Sequence, residues 1–173
     1  NSASIDFERE KSDGGVPEGA TLANAIFAGG CFWGVEHLMR KRRGVKSATS
    51  GYTGGALRNP SYEQVKSGTT EHVEAVWVTY DPAEVDYRSL LRYFFEIHDF
   101  TQTDGQGPDI GSQYLSKVFW VGEEQRQIAE QTIAELEAMG YKVATELRPA
   151  VRFWRAEEYH QNYFARKGQD ETE

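Results

Sequence analysis

The sequence predicts an α+β fold, a two-layer sandwich in which helices pack on a mixed central sheet. Segments with strand composition and segments with helical periodicity alternate irregularly along the chain, which is typical of this class. With 173 residues, 39% of them hydrophobic, the chain is long enough for one real core and too short for two ordinary domains. We expect a flexible arm over residues 1–20, a single domain over residues 21–168 and a short acidic tail over residues 169–173.

The first predicted strand leads into a helix through a pair of glycines. Residues 23–28, ANAIFA, have strand composition. Gly29 and Gly30 break this strand before a helical segment, residues 35–43, that ends at Gly44. The basic residues at the end of this segment complement the negative end of the helix dipole, so we assign them a structural role.

Residues 72–80, HVEAVWVTY, predict a later strand that an Asp-Pro pair ends. Alternation along a strand puts Glu74 on a face that is otherwise apolar and holds Val76, Val78 and Tyr80. The opposite face holds Val73, Ala75 and Trp77. Because both faces are apolar, the strand is expected to be central, and Glu74 is a carboxylate in apolar surroundings.

Three helices and two strands are expected in the second half of the chain. Residues 87–98 predict an amphipathic helix with inward side chains Leu90, Leu91, Phe94 and Ile97. A glycine-rich loop, residues 104–114, separates this helix from a strand over residues 115–121. The remaining elements are a long helix over residues 123–139, a strand near residues 142–147 and a last helix from Ala156.

The composition argues against several classes of partner. A formal net charge of −8 disfavours nucleic acid and anionic membranes, which need a basic surface, and no apolar run approaches the roughly 20 residues of a membrane span. The four histidines are scattered and the single cysteine can form neither an internal disulfide nor a thiolate metal site, so no metal is expected. We expect a monomer in the cytoplasm; the first residue is not methionine, so export of a processed chain is an open alternative.

The single cysteine, Cys31, lies in the segment GGCFWG, residues 29–34, at the predicted junction between strand and helix. A helix N-terminus offers unpaired N–H groups and the positive end of the dipole, which stabilise a thiolate. The alternative is an inert, buried cysteine, which is the more common kind. The helix stripe that Cys31 shares with Val35 and Leu38 also favours this alternative, so the residue alone favours an inert cysteine over a reactive one.

The segment GGCFWG resembles the signature of the type A peptide methionine sulfoxide reductases, and five further segments match that family in its order. These are SGYTGG (50–55), NPSYEQV (59–65), SGTTEHVEAV (67–76), HDFTQTDGQGPDIGSQY (98–114) and AEEYHQNY (156–163). The resemblance spans residues 22–165. It implies a ferredoxin-like core in one catalytic domain, and reduction of the S epimer of methionine sulfoxide, free or in proteins, as a repair of oxidised proteins.

The resemblance implies a nucleophile and an acid. Cys31 is expected to attack the sulfoxide sulfur and to be left as a sulfenic acid when methionine leaves. Glu74 matches the acid of the family, and its predicted apolar surroundings support that role, because burial raises a carboxyl pKa and keeps a proton available near neutral pH.

The resemblance also implies groups that hold the substrate. Tyr62 and Tyr114 are expected to donate hydrogen bonds to the sulfoxide oxygen. Phe32 and Trp33 resemble the aromatic walls around the terminal methyl group. Asp109 matches an aspartate near the site, and a role as a cap in its loop is an equal alternative.

Many members of the family carry a second cysteine, at the position of Lys66 or in the C-terminal tail, and this chain has neither. We therefore predict a one-cysteine cycle in which an external thiol, from thioredoxin, glutaredoxin or a small molecule, reduces the Cys31 sulfenic acid directly. No bound cofactor is expected. Removal of a resolving cysteine by engineering is a competing explanation.

Two other functions stay open from the residues themselves. A cysteine-nucleophile hydrolase or acyltransferase needs a histidine base, for which His160 or His72 are the candidates, because His37 lies on another side of the helix from Cys31. A non-catalytic module that binds oxidised methionine is the second alternative. No glycine cluster has the spacing of a phosphate or dinucleotide motif.

Overall fold

A computed structural model describes residues 4–5 and 22–172 of the chain, with side chains for residues 22–167. The arm predicted over residues 1–20 lies outside the described residues, apart from the two-residue strand Ser4–Ile5. None of the helices in the described ranges combines the length and the apolar composition that crossing a bilayer requires.

The described elements alternate between strands and helices along most of the chain. The strands are β1 Ser4–Ile5, β2 Ala23–Gly29, β3 Val45–Thr53, β4 Val73–Tyr80, β5 Gly105–Gln106, β6 Asp109–Ile110, β7 Ser116–Trp120, β8 Glu146–Pro149 and β9 Phe153–Arg155. The α-helices are α1 Phe32–Arg40, α2 Tyr62–Lys66, α3 Tyr87–Glu96, α4 Glu123–Ala138 and α5 Tyr163–Thr172. Two 3₁₀ turns, Ser112–Tyr114 and Glu158–His160, complete the set.

Seven of the strands form one mixed sheet in the order β1-β9-β3-β4-β2-β7-β8. The pair β7–β8 is parallel and the other neighbouring pairs are antiparallel. Within the sheet, β2–α1–β3 and β4–α3–β7 are two interleaved βαβ units, and their strands lie in the order β3-β4-β2-β7. This is the ferredoxin-like arrangement, so the predicted α+β class and mixed sheet are confirmed.

Strand β4 has the two apolar faces that its alternation predicted. Val76, Val78 and Tyr80 belong to the larger core, which helices α1, α3 and α4 cover. Val73, Ala75 and Trp77 belong to a second, smaller cluster on the opposite face, together with Ile26, Ala28, Phe119 and Phe153. Burial on both faces is what makes a central strand favourable, and it sets the surroundings of Glu74.

The C-terminal elements differ from the predicted ones. The strand expected near residues 142–147 is β8, shifted to Glu146–Pro149. The helix expected from Ala156 begins only at Tyr163, because Asn162 adopts a left-handed conformation with φ 56° that separates the 3₁₀ turn from α5. Strands β3 and β9 were not predicted at all.

Candidate functional site

Cys31 lies between the end of β2 and the first residue of α1, as the predicted junction requires. Its backbone is extended, with φ −60° and ψ 124°, and its side chain is partly exposed. Gly30 before it has φ 95°, in the left-handed region that favours glycine. A Cβ atom on Gly30 would lie 2.7 Å from the Cβ of Gln106, so the glycine also lets the β5–β6 hairpin pack closely beside the cysteine.

Glu74 reaches the same place from the middle of the sheet. It lies on β4 opposite Tyr52 of β3, and it is only 2% exposed. Its Oε1 accepts a hydrogen bond from the backbone N–H of Phe32 at 3.1 Å. The carboxyl is therefore hydrogen-bonded to the residue that directly follows Cys31, although 43 positions separate Glu74 from Cys31 in the sequence.

Burial raises the pKa of the Glu74 carboxyl from its ordinary value to about 8. The hydrogen bond from Phe32 acts in the opposite direction and the negative charge of Asp109 adds to the increase, but loss of hydration is the largest cause. Glu74 therefore keeps its proton at neutral pH, as its apolar surroundings predicted.

The pKa of Cys31 does not follow the prediction of a stabilised thiolate. Burial is the main cause, followed by the charge of Glu74, and together they raise the pKa of the thiol to about 11. The backbone N–H groups of Trp33 and Gly34 lower it, and these are the groups at the helix N-terminus on which the prediction relied. Their effect is real and smaller than that of burial, so the resting residue is a thiol.

Tyr62, Tyr114 and Asp109 come together with this pair from short elements at the edge of the core. Burial, then the charge of Glu74, raise the pKa of the Tyr62 hydroxyl to about 12, and the same two causes raise that of Tyr114. Cys31 contributes to both increases, and Asp109 contributes to those of Cys31 and Tyr114. Both hydroxyls keep their protons at neutral pH and can act as hydrogen-bond donors.

The aromatic residues after Cys31 occupy different environments. Phe32 is 1% exposed and packs against Tyr52 and His160, so it can provide only the floor of a pocket. Trp33 is partly exposed, and its ring stacks on Tyr163 at 3.8 Å with an interplanar angle of 8°. Its Nε1–H donates to His160 Nδ1 at 2.9 Å, which fixes the orientation of the indole.

The two histidines considered as catalytic bases have other contacts. His72 accepts a hydrogen bond from the Gly55 N–H at Nδ1 and donates from Nε2 to the Leu57 carbonyl. His160 accepts from Trp33, and its Nε2 is buried with no hydrogen-bond partner. Since neither ring bonds Cys31, the arrangement does not favour a cysteine hydrolase. Across the described residues, no group of three or more His, Cys, Asp or Glu side chains could hold a metal ion.

Two residues around the site were not predicted to have a role. Glu157 accepts hydrogen bonds from the Tyr52 hydroxyl at 2.8 Å and from the Tyr62 N–H at 2.9 Å. Gln113 donates to the Lys66 carbonyl at 3.1 Å, which ties the turn that carries Tyr114 to the end of α2. Both lie within segments that resemble the family, and the motif match was the one sequence signal that could have drawn attention to them.

A buried proton donor beside a partly exposed thiol places an acid and a nucleophile together, which is a combination that thiol-dependent redox chemistry can use. The family model for peptide methionine sulfoxide reductase matches residues 23–173 of this chain. The chain is 51% identical over 145 residues to "Peptide methionine sulfoxide reductase MsrA" of Mycolicibacterium gilvum, an alignment that covers 82% of this chain and 83% of the relative.

Solved structures give the same result. Mxr1 from Saccharomyces cerevisiae in its reduced form superposes with a TM-score of 0.79 at 34% identity, covering 86% of this chain and 87% of that one. Mxr1 in complex with Trx2 superposes with a TM-score of 0.58 at 26% identity, covering 82% and 84%. The chain belongs to the peptide methionine sulfoxide reductase family, which confirms the resemblance and the prediction of an enzyme of this class.

Proposed function

We propose that this chain reduces methionine S-sulfoxide, free or in peptides and proteins, by transferring the sulfoxide oxygen to Cys31. The observation that carries the proposal is the hydrogen bond between Glu74 and the N–H of Phe32, which holds a protonated carboxyl beside the nucleophile. A sulfoxide sulfur is a weak electrophile, and attack becomes feasible when its oxygen is protonated or strongly hydrogen-bonded.

The proposed step balances without a cofactor. Attack of the Cys31 sulfur on the substrate sulfur forms an S–S bond. That bond and the bond between the substrate sulfur and its oxygen then break while the oxygen bonds to the Cys31 sulfur, so Cys31 becomes a sulfenic acid and methionine leaves. Two electrons pass from the Cys31 sulfur to the substrate sulfur. The proton of the thiol ends on oxygen, and Glu74 is placed to transfer it.

The pKa values support this transfer of a proton through Glu74. Near neutral pH Glu74, with a pKa of about 8, holds its proton, and Cys31, with a pKa of about 11, is a thiol. When Glu74 gives its proton to the sulfoxide oxygen, the resulting carboxylate is the base that takes the proton of the thiol. Tyr62 and Tyr114 supply further hydrogen bonds to the oxygen as negative charge develops on it.

The proposed preference for one epimer follows from the chirality of the sulfoxide sulfur. Three contacts fix the orientation of that sulfur: attack by Cys31, hydrogen bonds to the oxygen and a slot for the methyl group. Only one epimer can make all three contacts at once. Trp33, with Phe32 as the floor, provides the apolar slot. The assignment of the S epimer comes from the family resemblance.

We further propose that an external thiol completes the cycle. The Cys31 sulfenic acid reacts with one thiol to give a mixed disulfide and water, and a second thiol releases Cys31. The 173 residues hold no second cysteine, and Lys66 stands beside Tyr62 where many relatives carry one. The solved complex of the relative Mxr1 with Trx2 supports a thioredoxin as the source of the thiol. A cytoplasmic site of action remains our prediction.

The test is a single turnover without reductant. One equivalent of enzyme is mixed with a peptide that carries methionine S-sulfoxide, and dimedone is added to trap the sulfenic acid. The masses of the peptide and the enzyme are then measured by mass spectrometry. We expect the peptide to lose one oxygen and Cys31 to gain the dimedone adduct, with no change in the R epimer. The Cys31→Ser variant is the matched control. Binding without oxygen loss, or turnover by Cys31→Ser, would refute the proposal.

A further inference from the structure

Glu157 lies outside the group of residues that the proposed chemistry uses, yet it is bonded to two elements of the site. Its Oε1 accepts from the Tyr52 hydroxyl at 2.8 Å and its Oε2 accepts from the Tyr62 N–H at 2.9 Å. The first bond spans 105 positions and the second 95. A single carboxylate thus connects the sheet to helix α2.

The end of this connection at the sheet is rigid. Tyr52 is fully buried and lies directly opposite Glu74 in the β3–β4 register. Its ring packs against Phe32 at 5.6 Å between centroids. The Tyr52 hydroxyl therefore has a fixed position relative to the Glu74 carboxyl and the start of α1.

The end at Tyr62 needs support. Helix α2 has only five residues, too few to be stable by itself. Ser61 and Gln64 form a capping box, which pairs the N–H groups of those two residues. The capping box does not use the N–H of Tyr62, which donates to Glu157 instead. This hydrogen bond fixes the backbone position of Tyr62, from which its side chain extends.

Glu157 itself is held firmly. The backbone after it is bound to β3, because the Gln161 side chain exchanges hydrogen bonds with the backbone of Ser50 at 2.9 Å. The buried Glu36 side chain accepts from Ser50 Oγ and from the Asn162 N–H. Burial raises the pKa of Glu157, but hydrogen bonds from the Tyr62 N–H, its own N–H and the Tyr52 hydroxyl, together with the charge of His160, leave this pKa below its usual value. The group is therefore a carboxylate and a strong acceptor.

We propose that Glu157 is a positioning residue that sets the distance between the Tyr62 hydroxyl and the acid–thiol pair. The inference rests on the proposed function, because it assumes that Tyr62 donates to the sulfoxide oxygen. A displacement of a catalytic group by about 1 Å can lower a rate by as much as about 100-fold. The effect therefore falls on kcat more than on KM.

The experiment compares Glu157→Ala with Glu157→Gln. Glutamine can accept from the Tyr62 N–H with its oxygen and donate to the Tyr52 oxygen with its amide, so it keeps both connections without the charge. We expect kcat to fall about tenfold in Glu157→Ala and to stay within about threefold of wild type in Glu157→Gln. Glu158→Ala is the matched control, because that neighbouring carboxylate is exposed and pairs only with Arg155 among the described ion pairs.

A double-mutant cycle separates positioning from general loss of structure. In a Tyr62→Phe background the hydroxyl is gone, so Glu157→Ala should lower kcat by less than about twofold further. The inference would be overturned if the losses of kcat from Glu157→Ala and Tyr62→Phe multiplied fully in the double variant. It would also be overturned if Glu157→Gln were as slow as Glu157→Ala.

A readout without substrate keeps the inference separate from the proposed function. Amide hydrogen exchange at Tyr62 should speed up in Glu157→Ala and stay slow in Glu157→Gln and Glu158→Ala. Unchanged exchange at Tyr62 in Glu157→Ala would overturn the positioning role. If the wild-type protein does not reduce the sulfoxide but amide exchange at Tyr62 changes as expected, the contact between Glu157 and Tyr62 is supported and the proposed function is refuted.

Discussion

Two regions of the molecule contribute to the site in different ways. Cys31 and Glu74 lie at the centre, where β2, β4 and α1 meet, and the backbone N–H of Phe32, the residue after Cys31, donates to Glu74. Tyr62 and Tyr114 lie on a five-residue helix and a 3₁₀ turn outside the sheet. Two hydrogen bonds hold these short elements in place: the Glu157 carboxylate accepts from the Tyr62 N–H, and the Gln113 amide donates to the Lys66 carbonyl.

Because of this difference, substitutions at the centre and at the periphery are expected to affect the enzyme in different ways. Changes at the centre alter burial, and burial controls the pKa values of Glu74 and Cys31. Changes at the periphery alter the position of a neutral hydroxyl and leave the core intact. Substitutions at the centre should therefore affect rate and pH dependence strongly, and substitutions at the periphery should affect rate moderately.

The largest effect is expected from Glu74→Gln, which removes the proton donor and keeps the shape. The rate of oxygen transfer should fall by about 10²–10³-fold in single-turnover kinetics. The same change removes a negative charge that raises the pKa of Cys31. Alkylation of Cys31 by iodoacetamide at pH 9 should therefore become faster than in wild type. Slower alkylation would contradict the electrostatic coupling of the two groups.

The second prediction concerns pH. Because the protonated form of Glu74 is the donor, oxygen transfer should decline as pH rises through about 8, the pKa of this carboxyl in the folded protein. A raised pKa also affects stability: the proton on Glu74 favours the folded state, and this contribution is complete at low pH and lost as pH rises toward 8. Chemical denaturation of wild type and Glu74→Gln should show wild type losing stability relative to the variant between about pH 5 and pH 8. A constant difference between the two proteins would show that the pKa of Glu74 is not raised.

A moderate effect is expected from Tyr62→Phe and Tyr114→Phe, each of which removes one hydroxyl from the periphery. Each should lower kcat about tenfold, with little change in the free energy of unfolding. Tyr159→Phe is the control, because that ring is 55% exposed and its hydroxyl has no role in the proposed step. If Tyr159→Phe slowed turnover as much as the other two, the loss could not be assigned to donors at the sulfoxide oxygen.

The smallest effect is expected from Glu71→Gly, just before β4. Glu71 has φ 66°, a left-handed conformation that is unfavourable for a residue with a Cβ atom. Glycine should raise the free energy of unfolding by about 0.5–1 kcal/mol in a urea titration. Glu71→Ala removes the charge but keeps the Cβ, so it should not stabilise the protein. Equal stabilisation by both variants would point to charge as the cause.

Local patterns were enough to predict where Cys31 and Glu74 lie in their elements. The apolar alternation around Glu74 gave the correct faces of β4 because a central strand must bury both. The glycine pair before Cys31 gave the junction between β2 and α1. Strand β3 was not predicted, because its sequence includes Lys46, Ala48 and Gly51, and these residue types are depleted in strands. The end of β3 forms because β9 pairs with it from Gly51 to Thr53, and a Cβ atom on Gly51 would collide with the Phe153 ring.

The sequence by itself determined the α+β class, the acid on an apolar strand face and, through six ordered motifs, the family. The tertiary structure decided the pKa of Cys31 and the links that run through Glu157 and Gln113. The physical reason is the range of each interaction. Periodicity and capping act between neighbours along the chain, whereas burial and hydrogen bonds across about a hundred positions exist only once the sheet has brought distant segments together.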